Sequence, residues 1–156
     1  MRQTFLAMTA FAQTLTDFGQ RFGLPGLVPD ADGHCELRFD GKYAVHLQHD
    51  ADQNTLTLYT VVGPVPPAAK LAAYEMLLRA NLFWLGTDGA TFGLDPQSGA
   101  VFLSRRMGLG EFTAASLEAA LQSLVDNAEH WAKELEHAGK DSPGGSRPPH
   151  ASGVRV

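Results

Sequence analysis

Residues 34 to 54 hold the side chains best suited to chemistry. His34, Cys35, His46 and His49 are all of types that bind zinc, but their spacing works against a site. Along a strand, His46 and His49 stand an odd number of positions apart and point to opposite faces, as do His34 and Cys35. They read as surface histidines and a core cysteine, with no metal. Asp50, Asp52 and Asn54 then imitate the alternating oxygen ligands that open a calcium loop. The sixth loop position is Thr55 rather than Gly and the twelfth is Val61 rather than Glu, so the stretch reads as a polar hairpin turn.

Other chemistries find no better footing. Ser98, Ser104 and Ser116 lack a Gly-x-Ser-x-Gly setting, and Cys35 falls in mid-strand, where its side chain is expected to be buried. Neither Gly-x-Gly-x-x-Gly nor Gly-x-x-x-x-Gly-Lys occurs, so no glycine-rich loop is set up to cradle phosphate. Asp30, Asp32, Asp88 and Asp95 all sit near turns, where aspartate does turn chemistry. Arg105 and Arg106 are the adjacent basic pair; they suit either an acidic partner segment or a strand end made soluble. Nothing in the residues calls for an enzyme.

Composition narrows the classes further. The chain has 156 residues, 44% hydrophobic and 19% charged, which suits one globular domain. A formal net charge of −5 argues against a nucleic-acid grip, which needs a basic stripe. Cys35 is the single cysteine, so no internal disulfide forms and a reducing cytosol fits. No apolar run approaches the roughly 20 residues of a membrane span. The N-terminal segment is read as a mature helix rather than a signal peptide, because Gln13, Asp17, Gln20 and Arg21 continue a helical pattern.

Periodicity supplies the elements. Met8, Phe11, Leu15, Phe18 and Phe22 make one stripe of a first helix, stopped by Gly23 and Pro25. Cys35, Leu37 and Phe39, then Tyr43, Val45 and Leu47, alternate with polar residues in two strands joined by Asp40-Gly41, a favoured two-residue turn. A third strand is expected from about Thr55 to Val62. After a second helix, Thr91 to Leu94 and Ala100 to Met107 read as strands about a Pro96 to Gly99 turn. Thr113 is a fitting N-cap for a last helix with Leu117, Leu121, Leu124, Ala128, Trp131 and Leu135 on one stripe. The order is helix, three strands, helix, two strands, helix: an α+β domain over residues 1–138 with an antiparallel sheet. Residues 139–156, rich in Gly, Pro and Ser, are expected to be a disordered tail.

The second helix, over 71 to 85, is apolar on two faces. Leu71, Tyr74, Leu78, Leu82 and Leu85 share one stripe; Met76, Leu77, Ala80, Phe83 and Trp84 lie roughly opposite. A surface helix needs one apolar stripe for its own core, so the second needs another cover. A second copy of the chain supplies it; a helix sandwiched inside one domain is the alternative.

As a whole the pattern resembles the Tir chaperone (CesT-like) family, the class I chaperones of bacterial type III secretion. The resemblance spans about residues 4 to 138. It rests on Phe-Gly-Gln-Arg-Phe-Gly-Leu at 18 to 24, Leu-Leu-Arg-Ala-Asn-Leu at 77 to 82, Thr-Phe-Gly-Leu-Asp at 91 to 95, Val-Phe-Leu-Ser at 101 to 104, and the closing helix with Trp131. It implies a cytoplasmic, non-enzymatic homodimer joined through the second helix, with Met76, Leu77, Leu78, Ala80, Leu82, Phe83 and Trp84 as interface candidates. It further implies an effector whose N-terminal segment is held in extended form, the secretion-apparatus ATPase as a further partner, and neither cofactor nor metal, nucleic acid nor membrane. An effector strand can pair with a sheet edge and set apolar side chains in grooves beside it. Phe5, Leu6, Leu37, Phe39, Val45 and Leu47 are the candidate lining, with Arg105 and Arg106 for acidic segments. A sensory or regulatory module of related fold, binding a small ligand or a regulator, is the alternative.

Overall fold

The computed structural model describes residues 2–141, with side chains described for 10–110 and 112–140. A helix, α1 (Arg2–Arg21), leads into strands β1 (His34–Phe39), β2 (Tyr43–Asp50) and β3 (Thr55–Pro64). Helix α2 (Lys70–Asn81), strands β4 (Thr91–Leu94) and β5 (Ala100–Gly108), and helix α3 (Ala114–Asp141) complete the order expected from the sequence. The five strands form one antiparallel sheet in the order β1-β2-β3-β5-β4, which leaves β1 and β4 as its edges.

Local chemistry sets the turns. Asp40 and Gly41 both take positive φ, 49° and 65°, as a tight hairpin between β1 and β2 requires. The Asp50 carboxylate accepts the backbone N–H groups of Asp52 and Gln53, so the calcium-like stretch spends its oxygen on a turn. At the start of α3, the Thr113 hydroxyl accepts the Ser116 N–H at 3.1 Å and the Ser116 hydroxyl accepts the Thr113 N–H at 2.9 Å, a reciprocal cap.

The helices cover one face of the sheet. Leu117, Leu121, Leu124, Ala128, Trp131 and Leu135 of α3 are all buried, and the inward residues Val45, Leu47, Leu56, Leu58, Val101 and Leu103 meet them in one core. Phe11, Leu15 and Phe18 bring α1 into the same core. The side chains of Phe5, Leu6 and Met8 lie outside the described residues, as do residues 142–156 of the expected tail. Helix α3 runs three residues past the expected boundary at 138, to Asp141. A Cβ on Gly139 would stand 3.0 Å from Pro66, so glycine here allows close packing rather than a stop. Among the described residues, no helix is long and apolar enough to cross a membrane.

Helix α2 departs from expectation. It ends at Asn81 instead of running to 85, and Phe83 and Trp84 take left-handed backbone, φ 52° and 56°. Asn81 supplies the reason: its side-chain oxygen accepts the Phe92 N–H at 2.8 Å and its amide donates to the Phe92 carbonyl at 3.3 Å, which ties the helix end to edge strand β4. Gly86 then passes beneath α3, where a Cβ would lie 2.9 Å from that of Ala80, and its carbonyl accepts the Trp131 indole N–H at 2.9 Å.

Candidate functional site

Two apolar surfaces stand out. The first is built on α2. Ala73, Leu77 and Ala80 face the core and Met76 packs against it half-buried. Leu77 and Ala80, expected at a dimer interface, are therefore only 6% and 7% exposed and belong to the protomer core. The opposite stripe is bare: Leu71, Leu78, Leu82, Phe83, Trp84 and Leu85 are between 56% and 83% exposed. Phe83 and Trp84 join this outer set because left-handed backbone swings them away from the helical course that would have placed them inward. Bulky residues adopt that conformation at a cost, which is normally retained at functional positions. A groove of about 260 Å³ between α2 and β4, floored by Leu77 and Phe92, continues the patch to exposed Leu94.

The second surface is concave. A groove of about 620 Å³ opens between the C-terminal end of α1, the following loop, α3 and edge strand β1. Phe18, Leu37 and Leu121 form its buried floor, and Phe22, Leu24, Leu27 and Phe39 its more exposed walls. Its rim is charged but paired: Arg21 with Glu118 at 3.3 Å, and Arg38 with Glu36 at 2.8 Å. The loop keeps its place by folding back on α1; the Leu24 N–H donates to the Gly19 carbonyl at 2.7 Å, and a Cβ on Gly19 would come within 2.6 Å of the Leu24 carbonyl.

Of the candidate lining residues, Leu37 and Phe39 reach this groove, while Val45 and Leu47 are fully buried under the helices. The alternation that marks an apolar strand face does not distinguish core from groove; only the edge position of β1 does. Arg105 and Arg106 stand on β5, at the other side of the sheet. Arg105 donates to the Asp88 carbonyl and Arg106 to Thr55 and Gln53, so both are engaged within the protomer. Phe22, Leu24 and Leu27 were missed as lining because they fall about a Gly-Leu-Pro-Gly stop, although apolar residues inside a loop of turn formers are themselves a sign of a packed or binding loop.

The titratable residues are divided between the two faces of the sheet. His34 and His46 share a hydrogen bond of 3.1 Å on the outer sheet face, a meeting across β1 and β2 that residue spacing alone did not reveal. His49 points the other way and is buried, and burial also pushes the Cys35 thiol up. Among the described residues, no group of three or more His, Cys, Asp or Glu side chains is placed to hold a metal ion.

The model of the Tir chaperone protein (CesT) family matches residues 13–132. The chain is 31% identical over 121 residues to the transcriptional anti-antiactivator ExsC of Pseudomonas aeruginosa, covering 78% of this chain and 82% of that one. Its fold matches a chain of the ExsC–ExsE complex with a TM-score of 0.74 at 29% identity, over 82% of this chain and 95% of the other. It also matches a chain of the HopA1–SchA chaperone–effector complex, with a TM-score of 0.72 at 23% identity over 82% and 97%, a likeness of fold. With 120 consecutive residues matched and every element of the fold in the expected order, the chain belongs to the Tir chaperone protein (CesT) family of type III secretion chaperones.

Proposed function

We propose that the protein is a non-enzymatic cytoplasmic chaperone that dimerises through the outer face of α2. Each groove between α1, its following loop and β1 then holds part of the N-terminal segment of a secreted effector. The observation that carries this reading is the groove itself: an apolar cleft of about 620 Å³ beside an edge strand. Free main-chain groups on β1 pair with an extended segment whatever its sequence, and the floor of Phe18, Leu37 and Leu121 takes its apolar side chains. Ordering such a segment costs roughly 2 to 5 kcal/mol. At about 25 cal/mol per Å², apolar contact on the order of a few hundred Å² offsets that.

A second reading has its own support. The 31% identical relative is a transcriptional anti-antiactivator; on this reading the same groove would hold a regulatory protein. Capture of the protein from its native cytosol, with light scattering on the complex, separates the two. Two copies carrying one secreted protein by its N-terminal region support the chaperone; a transcriptional regulator in its place supports the second reading. A chain recovered as a monomer counts against both the dimer and the wrapped client.

A further inference from the structure

His49 is a buried titratable ring that neither the dimer nor the groove uses. It stands on the core face of β2, 5% exposed, and neither Nδ1 nor Nε2 has a hydrogen-bond partner. Buried polar groups are nearly always satisfied, so one left bare asks for an explanation. What the ring does touch is aromatic: Phe11 of α1 lies 4.8 Å away, centroid to centroid, with the planes 31° apart, and Phe11 in turn meets Phe112 at 6.1 Å. The imidazole thus serves as an aromatic surface on which α1 rests.

Among the described residues, no side chain bonds either ring nitrogen, although Asp32, Asp50 and Asp52 stand with His49 around one shallow surface pocket. From β3 the facing residue is Leu56, and from the turn before β1 it is Gly33, whose carbonyl accepts the His49 backbone N–H. Helix α1 offers Phe11, while its Gln13 and Asp17 bond each other on the exposed side. The segment leading into α3 offers Phe112. Asp50, next along β2, is directed to the other face by strand alternation, with its carboxylate committed to the Asp52 and Gln53 N–H groups.

We propose that His49 is a proton-sensitive latch between α1 and the sheet: neutral, it packs under Phe11; protonated, it must reach water, and α1 comes away from the sheet. Burial lowers the ring's affinity for a proton, with Asp50 opposing weakly. The unfolded state therefore takes up the proton first. The latch is fully closed above the ordinary histidine value of 6.5 and loses stability as pH falls below it. Because α1 also carries Phe18 of the groove, opening the latch would loosen one groove wall; that consequence rests on the proposed function, whereas the latch itself does not.

Amide exchange of the full chain at pH 7.5 and 5.5, expressed as protection factors, tests it without any client. In the wild type, protection over residues 10–21 should fall several-fold at the lower pH, toward the limit of about tenfold that one histidine of ordinary value 6.5 sets between these two values, while residues 117–135 of α3 keep theirs. His49→Phe, close in shape, should hold α1 protection at both values, and His49→Leu gives the same readout should the larger ring fail to fold. Equal protection of wild-type α1 at both values, or acid loosening that persists in the folded variant, would overturn the latch.

Discussion

The outer face of α2 and the groove beside β1 are both apolar, yet they are built in opposite ways. On α2 the side chains protrude and the main chain is already satisfied within the helix, except where left-handed Phe83 and Trp84 throw two aromatic rings outward. Such a surface suits a rigid partner that presents side chains in turn, as a second copy does. In the groove the apolar side chains are recessed, the rim charges are paired, and edge strand β1 leaves main-chain groups open. That surface suits a chain without structure of its own, which supplies both a backbone to pair and side chains to bury. Convexity with a satisfied backbone, against concavity with an open one, is the difference on which the proposed division between self-association and client binding rests.

The sharpest way to break the comparison uses two adjacent residues. Leu77→Asp places a charge in the core and should cost about 4 kcal/mol or more, enough to abolish a cooperative melt. Leu78→Asp, on the exposed stripe, should leave protomer folding intact but shift sedimentation toward the monomer. A dimer that survives Leu78→Asp together with Leu82→Asp would remove α2 from the interface.

Charges in the groove should act differently. Phe22→Asp with Leu24→Asp is expected to weaken client binding roughly 10- to 100-fold, from about 1.5 to 3 kcal/mol of lost apolar burial. Sedimentation should still report the dimer, since these residues belong to the groove and not to α2. Loss of both properties together would mean that the two surfaces are not separable.

Smaller effects probe the frame that holds α2 in place. Gly86→Ala should cost about 1 to 3 kcal/mol by crowding Ala80 and Trp131, read as a lower denaturant midpoint. In the β4–β5 turn beside the α2 patch, hydrogen bonds from the Ser98 hydroxyl and backbone N–H hold the Asp95 carboxyl below its usual value of 3.8. A depressed carboxylate contributes stability above its unfolded value and loses it as pH falls from there through its folded value. Asp95→Asn should therefore flatten the acid limb slightly below about pH 4 and change nothing near neutrality, as equilibrium unfolding across that range would record.

Much of the fold was legible because its signals are local. Asp40-Gly41 specifies a turn by itself, Thr113 a cap, and the α3 stripe a buried face. The course of α2 was not legible, because what ends it is Asn81 bonding Phe92, a partner eleven residues on. The site was half visible for the same reason. A two-faced helix announces an uncovered stripe, but assigning Leu77 to the core and Leu78 to the outside needs the sheet beneath them. Val45 and Leu47 look like Leu37 in sequence; they differ because β2 lies inside the sheet and β1 at its edge.

Hydrogen exchange on the protein with and without the N-terminal segment of its captured client tests the central claim most directly. On the proposed arrangement, in which a second copy covers α2, the segment should slow exchange in β1 and in the loop at 22–33 and leave α2 unchanged. Protection that appears on α2, or none on β1, would contradict it.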